Sequence, residues 1–147
     1  MISNILPGLF EAEINKLEEE IRLYKSDEDL WKVLPGTSNS GGNLCLHVCG
    51  NLRHFIGALL GSTGYERDRP YEFSARDLKR EVLLDAIADT RKTLAAVVPT
   101  LDPAKMELPY ADNPLKTDMT YGAFVVYLYG HLRYHLGQIN YHRRISS

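Results

Sequence analysis

Three segments of this 147-residue chain, at about residues 10–25, 43–60 and 119–144, place apolar side chains at the three- and four-residue intervals of an amphipathic α-helix. A further helix, the third in chain order, is predicted over about residues 74–98, from a cap-like Ser74 to just before Pro99. No stretch shows the two-residue alternation of a half-buried strand. Because such stripes are buried by packing helix against helix, we predict an all-α fold, a four-helix bundle with long connections.

The apolar stripes also predict the core. They comprise Phe10, Ile14, Leu17, Ile21 and Tyr24 in the first helix, Leu44, Val48, Leu52, Phe55, Ile56 and Leu59 in the second, and Phe124, Tyr127, Leu128, Leu132 and Ile139 in the fourth. At a length of 147 residues and 44% hydrophobic content, one core is sufficient. We therefore expect a single domain over residues 1–147.

The connections between these segments are unequal. Residues 34–43, with the sequence LPGTSNSGGN, and the proline-rich residues 99–118 are predicted to be loops, and loops of the second kind often cover sites. Ser26 is expected to cap a short extra helix. Ser74, with Asp77 three residues later, resembles the N-terminal cap of the third helix.

Charge and composition limit the classes of partner. A net charge of −2 and a pI near 6.2 provide no basic surface of the kind that binds nucleic acid. No stretch approaches the roughly 18 apolar residues of a membrane span, and the first residues lack the features of a signal peptide. We expect a cytoplasmic protein whose two cysteines, Cys45 and Cys49, are reduced and packed in the core.

The histidines are unevenly distributed, since all five fall in the second and fourth predicted helices. His131 and His135 lie four residues apart, so both rings leave one helical face within reach of a single ion. Gln138 and His142 continue that face, which also carries the apolar stripe. Two imidazoles on an inward face need partners, and a metal ion would supply one to both.

The second helix offers a third ligand. His47, Asn51 and His54 form a polar line beside its apolar stripe, and His47 is the natural choice. We predict a divalent metal ion bound by His47, His131 and His135, with Asn51 and Gln138 as candidates to orient ligands or bound water. Three nitrogen ligands leave positions open for water or substrate, as in catalytic zinc sites.

Other interpretations of the same residues stay open. A histidine on an amphipathic helix is usually a hydrogen-bonded core or boundary residue, and H-x-x-x-H spacing also arises by chance. His54 and His142 are interpreted as non-ligands. The charged group Arg67, Asp68 and Arg69 most simply solvates a loop, and attraction of an anionic substrate by a basic group near the site mouth is the alternative. The sequence identifies no catalytic residue, no substrate and no particular metal.

Three segments, LHVCGNLRHFIGALL, RDRPYEFS and HLRYHLGQINYHRR, together resemble the DinB/YfiT-like superfamily of metal-dependent bundle proteins. The resemblance implies a metal triad at His47, His131 and His135, holding zinc, nickel or iron, and a homodimer formed through bundle faces. It also suggests metal-dependent transfer chemistry with a low-molecular-weight thiol, such as bacillithiol or mycothiol, and an electrophile. A noncatalytic metal-binding or dimeric interaction protein is the alternative.

Overall fold

The computed structural model describes residues 2–146, a range that contains helices and loops but no strand. Its α-helices are α1 (Ile2–Leu23), α2 (Gly41–Leu52), α3 (Arg69–Ser74), α4 (Arg80–Val97), α5 (Pro103–Met106) and α6 (Tyr121–Ser146). A π-helical segment, Arg53–Leu60, continues α2 without a break. None of the helices in this range has both the length and the apolar character required to cross a bilayer. The prediction of an all-α fold with a short extra helix is confirmed.

The four long helices pack into a bundle around one apolar core. α1 packs against α4 and α6, while α2 packs against α4, α6 and the short α3. The largest fully buried side chains are Phe10, Ile14, Leu17, Ile21, Leu30, Leu52, Ile56, Leu83, Ile87, Leu128, Leu132 and Ile139. Each such side chain contributes about 1.5–3 kcal/mol through removal from water, so these stripes hold the helices together.

The π-helical segment changes which side chains face the core after α2. Sequence periodicity places Leu59 on the buried stripe, but its side chain is 50% exposed, so that prediction was wrong. A π-helix is wound more widely than an α-helix, and each residue therefore advances through a smaller angle. Ile56 and Gly57 remain buried. By Leu59 the smaller rotation per residue has added up, so this side chain faces solvent.

The predicted start of the third helix is also wrong. Ser74 is the last residue of α3 and not a cap, and α4 begins only at Arg80. Asp77 has a φ of +58°, a left-handed conformation that no helix interior accommodates, so the chain turns there before α4 begins. The side chain that does cap a helix in this region is Asp68, which accepts a hydrogen bond from the Tyr71 amide at the start of α3.

Two helix starts lie earlier in the chain than the periodicity indicates. α1 already begins at Ile2 and contains Pro7, which lacks the N–H that would donate to the Ser3 carbonyl. α2 begins at Gly41, since the Ser40 hydroxyl caps it by accepting from the Asn43 amide at 3.1 Å. The Ser26 hydroxyl accepts from the Asp29 amide and so opens a single 3-10 turn.

The proline-rich connection before α6 is organised by a buried asparagine. The Asn113 amide donates to the carbonyls of Tyr110 and Thr117, and its oxygen accepts from the Leu115 amide. Backbone pairing between Tyr110 and Met119 closes the base of the loop at 2.8 Å. These contacts fix the loop tip, including Leu115, against the body of the bundle.

Candidate metal centre

Three histidine rings converge between α2 and α6. His47 projects from α2, and His131 and His135 project from successive turns of α6. The Nε2 atom of His131 lies 3.3 Å from that of His47 and 3.1 Å from that of His135. One potential ligand atom from each ring falls within 4.8 Å of the others, the spacing of a shared ion. The structure therefore brings together the three histidines that the sequence predicts as ligands.

Hydrogen bonds on the outer side of two rings fix their orientation and tautomer. The Nδ1–H group of His47 donates to Glu72 Oε1 at 3.0 Å, and that of His135 donates to Gln138 Oε1 at 2.7 Å. A neutral imidazole with its proton on Nδ1 carries its lone pair on Nε2. Lone pairs therefore face each other at the centre, an arrangement that a cation stabilises. This donor set fits a divalent metal ion.

The third ring is held neutral by its surroundings. Burial, together with His135, His47 and Arg67 nearby, lowers the pKa of His131 to about 4. Burial likewise lowers the pKa of His135, although the hydrogen bond to Gln138 opposes that change. Both rings are neutral at pH 7, the form in which imidazole binds a metal. The buried Nδ1 atom of His131 has no hydrogen-bond partner among residues 2–146.

A buried carboxylate that sequence reasoning missed supports His47. Glu72, from α3, accepts from Arg67 Nε at 2.8 Å and from Arg67 Nη2 at 2.9 Å, in addition to its bond from His47. Burial alone would raise the pKa of Glu72, but these donors outweigh burial and lower it. For Arg67 the simplest interpretation, solvation of a loop, was wrong, because its side chain is 11% exposed and paired with Glu72.

A glycine in α2 creates the space for this carboxylate. A Cβ atom at Gly50 would overlap Glu72 Oε2, so any larger residue displaces the carboxylate from His47. The motif RDRPYEFS contains Arg67, Asp68 and Glu72, and the Asp68 cap begins the helix that carries Glu72. That cap pattern is the one signal in the sequence that could have identified Glu72.

The two candidates for orienting ligands differ. Gln138 bonds His135, as described above, whereas Asn51 bonds none of the three histidines. The Asn51 side chain is buried on the wall of a cavity beside the cluster, and its Oδ1 atom has no hydrogen-bond partner among the described residues. Asn51 therefore orients none of the three histidines, and its oxygen is left without a hydrogen-bond donor from the described residues.

The remaining histidines and cysteines lie outside the cluster. His54 is partly exposed and packs against Phe55, with ring centroids 4.7 Å apart. His142 is buried between Tyr24 and the Lys32 carbonyl, remote from the ligand atoms. Cys45 and Cys49 are free thiols, and both are buried among the apolar residues of the core.

A cavity of about 220 Å³ opens beside the cluster. Two of the histidines contribute to its wall, which consists of His47, Asn51, Phe55, Arg67, Arg69, Pro114, Leu115, Phe124, Tyr127, Leu128 and His131. Pro114 and Leu115 come from the proline-rich loop, which therefore does cover the site. Four larger depressions, of about 270, 430, 590 and 800 Å³, contain none of the three clustered histidines, so chemistry rather than volume identifies the smaller cavity.

Comparison with known proteins gives one match. The sequence model of the DinB superfamily matches residues 9–139 of the chain. No curated protein and no solved structure matches it. The matched range includes the three clustered histidines, Glu72 and the proline-rich loop.

Proposed function

The chain belongs to the DinB superfamily, and we propose that it binds a divalent metal ion through His47, His131 and His135 and acts as a metal-dependent small-molecule transferase. Thiol S-transfer is the proposed reaction. The observation that carries this proposal is the convergence of three imidazole nitrogens beside a cavity wide enough for a small ligand. Three protein ligands leave coordination positions open, as catalytic sites require.

Residues of the chain perform three tasks in this proposal. Glu72 holds His47 in the tautomer and orientation that a ligand needs, and Gln138 does the same for His135. Phe55 and Phe124, whose ring centroids are 5.1 Å apart, exclude water from one side of the cavity. A bound divalent ion supplies Lewis acidity, which lowers the pKa of a thiol and favours its thiolate.

A noncatalytic metal-binding or dimeric interaction protein is the second candidate. Several large apolar side chains on the outer face of α6 are exposed, among them Tyr134 and Tyr141 at 65% and Ile145 at 66%. An apolar surface of this kind suits a helix–helix contact, so we propose a homodimer for either function. The two free cysteines are compatible with the reducing cytoplasm that we propose as its location.

The experiment begins with elemental analysis of untagged protein purified without added metal. We expect about one zinc, nickel or iron ion per chain, and we expect S-transfer from bacillithiol or mycothiol to monochlorobimane once the metal found is restored. Absence of a stoichiometric ion contradicts the proposed metal binding, on which the proposed transfer reaction depends. An ion without transfer activity, in a protein that sediments as a dimer, favours the noncatalytic candidate.

A further inference from the structure

The wall of the cavity beside the histidines carries positive charge without any acidic residue. Its charged residues are Arg67 and Arg69, and no Asp or Glu contributes to the wall. Glu72 forms an ion pair with Arg67 and so neutralises its charge. Arg69 has no ion-pair partner among residues 2–146, so its charge is available to a ligand. A divalent ion would add to this positive potential, which attracts anions.

Arg69 is also held in position. Its guanidinium lies over the Phe73 ring, 5.2 Å from the ring centroid, and Phe73 packs against the ring of His47 at 4.8 Å. This stack links the free cation to a metal-ligand candidate through one aromatic ring. A guanidinium presents parallel N–H donors that match a carboxylate.

Asn51 supplies a second unused polar group on the same wall. It lies one helical turn after His47, and its side chain is 93% buried. A buried amide oxygen without a partner is costly, and folded proteins seldom leave one. Asn43, on the same helix, shows the usual state, because it exchanges hydrogen bonds with Ser40, Arg76 and backbone carbonyls. The Asn51 oxygen requires an N–H or O–H donor, which a ligand could bring.

The remaining wall is apolar and the space is small. Phe55, Leu115 and Phe124 line it between the polar groups. Its volume of about 220 Å³ lies below the roughly 300–1,000 Å³ of pockets for drug-sized ligands. The wall therefore suits a short molecule with an anionic end, an apolar stretch and one hydrogen-bond donor.

We propose that this cavity selects a small carboxylate that also carries an N–H or O–H donor, with Arg69 binding the carboxylate and Asn51 accepting from the donor. The inference rests on the proposed function, because it assigns the substrate class of that same site. Arg69 and Asn51 are specificity residues here, and neither is assigned a metal-ligand role.

The test uses full-length protein loaded with cobalt(II), whose absorption reports both the metal and a bound thiolate. The probes are N-acetylcysteine, its neutral amide N-acetylcysteine amide, and 3-mercaptopropionate, which lacks the N–H donor. We expect N-acetylcysteine to bind about tenfold more tightly than the amide, and Arg69→Gln to reduce that ratio to less than about threefold. Arg144→Gln makes the same charge change at an exposed arginine outside the cavity wall and should keep the ratio.

Asn51→Leu tests the second contact separately. This substitution should weaken the binding of N-acetylcysteine about tenfold and leave the affinity for 3-mercaptopropionate unchanged. The cobalt spectrum and the cobalt stoichiometry should stay those of the original protein. Equal affinity for the acid and the amide, or equal loss in both arginine variants, overturns this inference and leaves the proposed function standing. Cobalt binding without any thiolate band for the three probes overturns the proposed function, and this inference with it.

Discussion

Helix α6 carries histidine in two different environments. His142 has both ring nitrogens occupied by the chain, because Nδ1 accepts from the Tyr24 hydroxyl and Nε2 donates to the Lys32 carbonyl, each at 2.7 Å. His131, three turns earlier, faces the nitrogens of two other histidines and leaves Nδ1 without a partner. His142 is buried and His131 is half-buried, but only the environment of His142 is complete without an added group.

This difference separates a structural histidine from a candidate ligand. His142 joins α6 to the end of α1 and to the chain after the 3-10 turn at Asp29–Trp31, and Gly41 must lack a Cβ because that atom would overlap the Tyr24 hydroxyl. In the three-histidine cluster the chain supplies partners on the outer side of His47 and His135, while the inner Nε2 atoms face one another. What a buried ring contacts is therefore more informative than the fact that it is buried.

Replacing His131 should have the largest effect on metal binding. We expect His131→Ala to abolish stoichiometric metal, because it removes the nitrogen that lies between the other two. The fold should persist, since apolar packing supplies most of the stability of a bundle. Elemental analysis and circular dichroism measure the two outcomes. Unchanged metal content would eliminate the proposed triad.

Replacing His142 should lower the stability of the fold and leave metal binding unchanged. His142→Phe keeps a ring of similar size but removes the donor to the Lys32 carbonyl and leaves the Tyr24 hydroxyl with only its 3.3 Å bond to the Ile139 carbonyl. We expect the free energy of unfolding to fall by about 2–4 kcal/mol, the cost of leaving buried polar groups unpaired. Urea unfolding of the metal-free protein measures the loss. Metal stoichiometry should not change. Loss of metal from this variant would contradict the assignment of His142 to a structural role.

Much of the bundle could be predicted because helix periodicity is a local property. The stripe of Phe10, Ile14, Leu17 and Ile21 is fully buried, as its spacing indicates. Leu59 failed because a π-helical segment changes the winding, which a fixed period cannot anticipate. The six-residue α3 is too short for a periodic signal.

The site was predictable only where its residues share a helix face. His131 and His135 are four apart, so α6 alone brings them together. Glu72 reaches His47 across 25 residues and through a short helix, and no local pattern contains that contact. His142 lies seven residues after His135, nearly on the same face, so periodicity cannot separate the ligand from the structural residue.

Removing the Glu72 charge should weaken the metal site without destroying it. Glu72→Gln keeps the shape of the side chain but leaves the Arg67 guanidinium without its carboxylate and weakens the bond from His47. We expect metal affinity to fall about 10- to 100-fold, the usual cost of losing a carboxylate behind a ligating histidine. Competition with a zinc-binding dye measures it.

Glu20→Gln is the matched control for that change. Glu20 also pairs with an arginine, Arg143, at 2.6 Å, but it lies outside the metal cluster. Its loss should leave metal affinity unchanged. Equal affinities in the two variants would mean that Glu72 supports the fold and not the ligand.

The smallest effect should appear in the pH dependence of the metal-free protein. The pKa of His131 is lowered to about 4 in the folded chain, against an ordinary value near 6.5, so the unfolded chain binds more protons between these values. Stability from this ring is fully present above pH 6.5 and is lost as the pH falls toward 4. Because the ring is only partly buried, solvent screening limits the loss to about 1–2 kcal/mol. Urea unfolding of chelator-treated protein at pH 7 and pH 4.5 should show a smaller decrease for His131→Phe than for the original chain. Equal decreases would assign the acid sensitivity to groups outside the cluster.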